Sequence, residues 1–234
     1  MRIADAYSRR DALGVDQGEY FGYEDAAHVQ RQQQRARWTL KLLDRHRCRP
    51  LEDVLDVGCG RGDGLVDFVR WGAEPRRLAG IDLRADVIGA ARRRVTEADL
   101  RVGCGSELPF DDATFQVVQL STVLSSVLEP ELRRAMVREA WRVTRPGGGL
   151  LIYDTRRANP RNPDVAPVRA AEVTEWFPDV RPEIRTLTFL PHRARRMPPA
   201  FLEWGYTVLA TVPFWRTHLL AWIGRPTRTT RVRP

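Results

Sequence analysis

The sequence predicts an α/β fold: a doubly wound, mostly parallel sheet covered by helices on both faces. Three observations point to it. Apolar runs alternate with helical patterns from residue 53 to residue 154 at βαβ spacing. Runs such as Val54-Leu-Asp-Val and Leu150-Leu-Ile-Tyr are short and lack polar alternation, as strands buried on both sides do. The 234 residues, 43% hydrophobic and 29% charged, fit one globular domain. A chain of this length buries roughly 70% of its unfolded surface, so it needs neither disulfides nor metals to form a core.

Taken in order, residues 1–24 are rich in Gly, Tyr and Asp and read as an irregular lead-in, where Tyr20, Phe21 and Tyr23 could close over a site as a lid. The pattern predicts a helix over Ala26–Arg47, with Val29, Ala36, Leu40 and Leu43 as its apolar face, stopped by Pro50. Strands follow at Asp53–Val57, Leu78–Asp82, Leu100–Val102 and Phe115–Ser121, with helices at Asp63–Trp71, Ala85–Val95 and Glu131–Val143. Arg145-Pro-Gly-Gly-Gly reads as a turn into the strand Leu150–Asp154. Beyond it lie a Pro/Asn/Arg-rich loop (156–168), a helix at Arg169–Trp176, a strand near Ile184–Phe189, a helix over Pro198–Val212 and a strand at Thr217–Ile223. The division is a single domain over 1–224, with 1–50 as helical lead-in and lid, 51–155 as core and 156–224 as the acceptor side; 225–234 is a basic, flexible tail.

No run of about 18 uncharged apolar residues predicts a transmembrane helix, and the N-terminus has no secretory pattern. Three scattered cysteines, Cys48, Cys59 and Cys104, argue against a disulfide framework and for a reducing cytoplasm. His28, His46, His192 and His218 are far apart in sequence and form no metal-ligand spacing, so no metal is expected. The net charge of +8 is unevenly spread. Residues 1–50 hold 10 basic and 7 acidic side chains, residues 51–155 hold 14 and 17, and residues 156–234 hold 14 and 6. A basic last third suits an acceptor with phosphate or carboxylate, although an arginine-rich solvated tail supplies half of its excess.

The strongest local signal is Val54-Leu-Asp-Val-Gly-Cys-Gly-Arg-Gly-Asp-Gly-Leu65, which puts Gly58, Gly60, Gly62 and Gly64 between a strand and a helix. Such a loop lets bare backbone approach a ligand, beside the free N–H groups of a helix start. G-x-G-x-x-G fails in every register, because positions 63, 65 and 67 hold Asp63, Leu65 and Asp67; a P-loop fails for want of Lys-Ser/Thr. Gly80-Ile-Asp-Leu83 then ends the second strand on an acid, where ligands gather in open parallel sheets and a carboxylate can accept from both ribose hydroxyls.

These segments, with Gly103–Phe110, Phe115–Leu124 and Arg145–Tyr153, resemble the class I S-adenosylmethionine-dependent methyltransferases, over about residues 50–155. Within that class the chain is similar to small-molecule enzymes and to an uncharacterised bacterial subset. The resemblance implies a Rossmann-like sheet of seven strands and S-adenosyl-L-methionine as cofactor. It also implies roles by position. Gly58, Cys59 and Gly60 would contact the methionine moiety by backbone, and Asp56 would hold its ammonium. Asp82 would take the ribose hydroxyls and Leu83 would pack on adenine, with Cys104, Gly105 and Ser106 at its other edge. Gln119 and Leu120 would lie beside the methionine and the methyl. Two departures stand out: Cys104 replaces the Asp common at that position, and Leu124-Ser-Ser126 lacks the His often found there.

The expected reaction is methyl transfer to a small polar acceptor, most readily a hydroxyl of a glycan, nucleoside or specialised metabolite. Alignment dominates such a displacement. Asp154, ending the fifth strand, is the candidate proton acceptor, with capping of the following loop as its alternative role. Arg156, Arg157, Asn159, Arg161 and Asn162 are candidate acceptor donors. N-methylation of a small molecule, a nucleic-acid substrate and a noncatalytic cofactor-binding partner are the rivals. Nucleic acid is disfavoured because Gln119-Leu-Ser-Thr122 is not the Asp/Asn-Pro-Pro-aromatic motif of base-amine enzymes. The aromatics of Met197–Trp222 read as core, or as a peripheral membrane contact.

Overall fold

Short β-branched and aliphatic runs form the strands and a regular supply of long-chain residues the helices between them. A computed structural model describes residues 25–158 and 164–227. In chain order the elements are α1 (Ala26–Arg45), β1 (Val54–Val57), α2 (Asp63–Arg70), β2 (Leu78–Asp82), α3 (Ala85–Arg94), β3 (Asp99–Val102) and β4 (Phe115–Ser121). Then come α4 (Pro130–Val143), β5 (Thr144–Thr155), α5 (Ala170–Trp176), β6 (Glu183–Phe189), α6 (Pro191–Ala194), α7 (Pro199–Leu209) and β7 (Arg216–Gly224). The seven strands form one sheet in the order β3-β2-β1-β4-β5-β7-β6. β1 to β5 run parallel, and β7 inserts antiparallel between β5 and β6. The fold is the Rossmann-like, doubly wound one.

Two apolar layers cover the sheet. Val137, Ala140 and Val143 of α4 and Val173 of α5 pack on one face, while Leu42 and Leu43 of α1, Leu65 and Phe68 of α2 and Ile88 and Ala91 of α3 cover the other. A third, smaller cluster joins Ala27 to Phe189, Leu202 and Tyr206. The strand order reverses between β1 and β4, so a crevice opens at their carboxyl ends.

Four sequence expectations need correction. The buried face of α1 is Ala27, His28, Thr39, Leu42 and Leu43, whereas Val29, Ala36 and Leu40 are only half-buried. The N-terminal half of that face is polar, and hydropathy periodicity sees only apolar stripes. The expected turn at 145–149 is instead the start of β5, where the register against β4 shifts between Phe115 and Val117. Gly147 there takes φ +81°, and a Cβ on Gly148 would stand 2.2 Å from the Gln116 carbonyl oxygen. Three glycines thus admit a bulge, not a turn. The short α6 has no counterpart in the expectation. Arg225, assigned to the tail, donates to the carbonyls of Trp141, Arg142 and Thr144 and is part of the fold.

Tyr206 and Trp222 are buried as expected, but Phe201, Trp204 and Phe214 are exposed. Tyr20, Phe21, Tyr23, Asn159, Arg161, Asn162 and residues 228–234 lie outside the described residues. Among the described residues no helix is long and apolar enough to cross a membrane, and no group of His, Cys, Asp and Glu could hold a metal ion.

Candidate functional site

A cleft of about 560 Å³ lies over the carboxyl ends of the parallel strands, within the range of small-molecule sites. One side is made by the loops after β1, β2 and β3. Gly58 and Cys59 donate their N–H groups to the Ile81 carbonyl, at 2.8 and 3.1 Å, which ties the glycine loop to β2. Gly60 donates to Asp82 Oδ2 at 2.9 Å, and Arg84 N–H donates to Oδ1 at 3.0 Å. The strand-end carboxylate is therefore fixed in position. Backbone needs dictate the glycines: Gly58 takes φ +74°, and a Cβ there would meet Val123 Cγ2 at 2.6 Å. At Gly60, φ +52°, a Cβ would enter open space in the cleft.

Asp56 is buried at the end of β1 and accepts from Gln119 Nε2 at 3.0 Å. Burial pushes its pKa up to about 7, against the Gln119 hydrogen bond. Such a carboxylate gains from a cation placed beside it. Leu83, 42% exposed, forms an apolar shelf next to Asp82.

The rest of the lining comes largely from α1, β5 and β7. Asp25 caps α1, accepting from Ala27 and His28 N–H, and so sets the phase in which His28, Arg31, Gln32 and Arg35 face the cleft. Arg35 pairs with Asp67 at 2.7 Å and donates to Ser121 Oγ at 3.2 Å, while its buried Nε has no partner among the described residues. Its guanidinium also lies 5.7 Å from the Tyr153 ring centre, and the His218 ring stacks on Tyr153 at 5.0 Å and 8°.

Behind these rings sits a strained residue. Thr188 is buried in β6 at φ +64°, a conformation that costs a β-branched residue on the order of 1–3 kcal/mol. Three hydrogen bonds hold it there: N–H to Gln34 Oε1 (2.8 Å), carbonyl from Thr217 Oγ1 (3.1 Å) and Oγ1 with the Tyr153 hydroxyl (2.7 Å). The cleft-lining Thr122 is also left-handed, at φ +55°.

Asp56, Gly58, Cys59, Gly60, Asp82, Leu83, Cys104, Gly105, Gln119 and Asp154 all line this one cleft. Leu120 does not. Pleating puts Gln119 and Ser121 on the cleft side and turns Leu120 into the core. Ser106 is also off the cleft, with its hydroxyl 3.0 Å from Cys104 Sγ. Asp154 is fully buried and accepts from Ser125 N–H at 3.1 Å and Thr155 N–H at 2.7 Å. Burial pushes its pKa up to about 6. Arg156 and Arg157 turn away, the first to the Arg216 carbonyl and the second over the Phe214 ring. The donors that do line the wall, Arg31 and Arg35, escaped sequence reasoning, as did His28 and His218. The helical spacing of 28, 31, 32 and 35 was the available signal.

The parallel strands β1 to β5, the glycine loop after β1 and the acid ending β2 are the features through which the sequence resembles the class I methyltransferases. Comparison with known proteins agrees. Residues 54–148 match the family model described as "Methyltransferase domain". A Mycolicibacterium smegmatis protein named "Probable S-adenosylmethionine-dependent methyltransferase" is 35% identical over 138 residues, 56% of this chain and 51% of that protein. Demethylmenaquinone methyltransferase of Listeria monocytogenes is 31% identical over 128 residues, 53% of each chain. The solved S-adenosylmethionine-dependent methyltransferase of Clostridium acetobutylicum shares the fold, with TM-score 0.60, 7% identity and coverage of 82% of this chain and 90% of that one. The chain spans about half or less of the length of the first curated relatives it matches. Residues 54–148 thus match a methyltransferase domain, and the relatives and solved neighbours named as S-adenosylmethionine-dependent imply S-adenosyl-L-methionine as the cofactor. The residues present fit that group: a buried acid for an ammonium, a fixed strand-end acid for a diol, and an apolar shelf for a base.

Proposed function

We propose that the chain transfers the methyl group of S-adenosyl-L-methionine to a small polar acceptor, with a hydroxyl oxygen as the receiving atom. One observation carries the reading: a single cleft is lined by Asp56 and Asp82 and also by histidine, arginine and tyrosine side chains. The cofactor supplies an activated methyl. The chain's own task is to hold two molecules in line, which can contribute about 7–11 kcal/mol.

In this reading Asp56 holds the ammonium, Asp82 accepts from the ribose hydroxyls and Leu83 packs on adenine. Cys104 and Gly105 border its other edge. The N–H groups of Gly58, Cys59 and Gly60 are already engaged, so this loop offers the methionine part its carbonyls and its bare α-carbons. Asp154 serves as an anchor for residues 124–126: it is fully buried and accepts from Ser125 and Thr155 N–H.

Calorimetry with S-adenosylhomocysteine tests the reading. Micromolar affinity is expected, and affinity weaker than millimolar rejects it. Binding without turnover on any acceptor would favour a noncatalytic partner. Affinity for duplex DNA falling steeply with salt would favour a nucleic-acid enzyme instead.

A further inference from the structure

Of the groups lining the wall, His218 has a settled protonation pattern. Thr217 Oγ1 spends its single proton on the Thr188 carbonyl, 3.1 Å away. Its 2.9 Å contact with His218 Nδ1 must then run the other way, with Nδ1–H donating to the hydroxyl oxygen. That leaves Nε2 as a lone pair on a ring that lines the cleft, and among the described residues nothing hydrogen-bonds to it. His28 is the opposite case: Arg31 Nη2 donates to its Nδ1 at 2.7 Å, so a neutral His28 carries its proton on Nε2. Stacking on Tyr153 and the hydrogen bonds of Thr188 fix the orientation of the His218 ring.

We propose that His218 is the proton acceptor of the methyl transfer, and that the acceptor molecule presents an acidic hydroxyl of the phenol or enol type. The inference rests on the methyltransferase reading above. In the step, the hydroxyl oxygen forms a bond to the methyl carbon and the carbon–sulfur bond breaks, its electron pair staying on sulfur. The hydroxyl proton passes to His218 Nε2, and the imidazolium returns it to water after release.

The charged and titratable neighbours of the ring are Arg31 and Arg35 from α1 and Tyr153 from β5; β6 meets it through Leu187, its register partner, and through Thr188, which Thr217 of β7 bonds. Burial, then Arg31 and Arg35, lower the imidazole pKa to about 3, so it is neutral at pH 7. The hydroxyl proton becomes strongly acidic as the oxygen–methyl bond forms, so a neutral imidazole within reach suffices to take it. The two guanidiniums favour an ionising hydroxyl beside them, and the unpartnered Nε of Arg35 is a buried donor that an oxyanion can satisfy.

The test uses the full chain. In long-range ¹H–¹⁵N spectra of histidine-labelled protein, assigned with His218→Gln, His218 is expected as the neutral Nδ1–H tautomer from pH 5 to 8. Thr217→Val should mix its tautomers. An Nε2–H tautomer, or an imidazolium at pH 7, overturns the proposal. With labelled S-adenosyl-L-methionine and the probes catechol, 4-hydroxybenzoate and 4-nitrophenol, at least one should be methylated. His218→Gln should then cut turnover about 100-fold and leave S-adenosylhomocysteine affinity within about twofold. Methylation of none of the probes, or a variant retaining more than a third of turnover, also overturns it. Failure of the wild type to bind S-adenosylhomocysteine sinks the methyltransferase reading instead.

Discussion

The two sides of the cleft are built by different means. The proposed cofactor side comes from residues 56–60, 82–84 and 103–105, three loops that each follow a strand and sit next to one another because β1, β2 and β3 are neighbours. The facing wall draws His28 and Arg35 from α1, Tyr153 from β5 and His218 from β7, positions up to 190 residues apart that meet only in the finished sheet. The first side is a set of local backbone solutions. The second is a product of topology: Arg35 pairs with Asp67 of α2, Tyr153 bonds Thr188 of β6, and the His218 ring stacks on Tyr153 of β5.

If that division is right, damage on one side should spare the other. The largest effect is expected from Asp82→Ala, which removes the ribose acceptor and also frees Gly60 and Arg84 N–H. Two lost bonds to a charged group should weaken S-adenosylhomocysteine binding about 100-fold or more in calorimetry. Loss of less than tenfold would remove Asp82 from the site.

Gly64→Ala comes next. Its Cβ would stand 2.4 Å from Asp56 Oδ2 and 2.7 Å from Gln119 Nε2, so overpacking should cost about 1–3 kcal/mol in urea unfolding. It should weaken cofactor binding while the His218 tautomer stays as it was. A changed tautomer would show that the two sides are mechanically one.

Smaller still is the pH dependence of binding. Asp56, with a pKa near 7 when the site is empty, must ionise to hold an ammonium. Affinity for S-adenosylhomocysteine should therefore rise about tenfold from pH 6 to pH 8 and level off above. A flat profile would take the ammonium away from Asp56.

The smallest effect is a cancellation. Burial, with Arg31 next in order, lowers the His28 pKa to about 4, and His218 sits near 3. Both stay neutral in the fold while the unfolded chain takes up protons below about 6.5, so acid costs stability. Asp56 and Asp154, raised to about 7 and about 6, take up protons in the fold that the unfolded chain does not. Acid favours the fold through these two. Between about pH 6 and pH 5 these contributions nearly offset, and unfolding free energy should be almost flat. Below that, protonation of Glu52, Glu139 and Glu183, whose carboxyls the fold holds below the usual range, costs stability. His218→Gln should uncover a stability that rises as pH falls through that window.

The same division explains what the sequence discloses. The glycine loop and Asp82 are legible because a strand, a turn and a helix start are encoded within a dozen residues. The placement of Leu120 was missed for a local reason: one residue of pleat decides between cleft and core. Asp154 was found, but its engagement by Ser125 and Thr155 N–H depends on how 124–126 folds back on β5. The polar face of α1 has the right spacing yet reads as solvent-facing until the cleft exists. His218 is an isolated histidine until β7 takes its antiparallel place beside β5.

That antiparallel insertion orders events during synthesis. The strands from β1 to β5 follow one another in sequence, so the loops proposed to bind the nucleoside can form before β7 is made. β6 must wait without a sheet neighbour until residues 216–224 emerge and slide in between. A nascent chain stalled before that point would already have the proposed methyl-donor loops but not the strand that brings His218 to the cleft, and its β5 edge would stand unpaired.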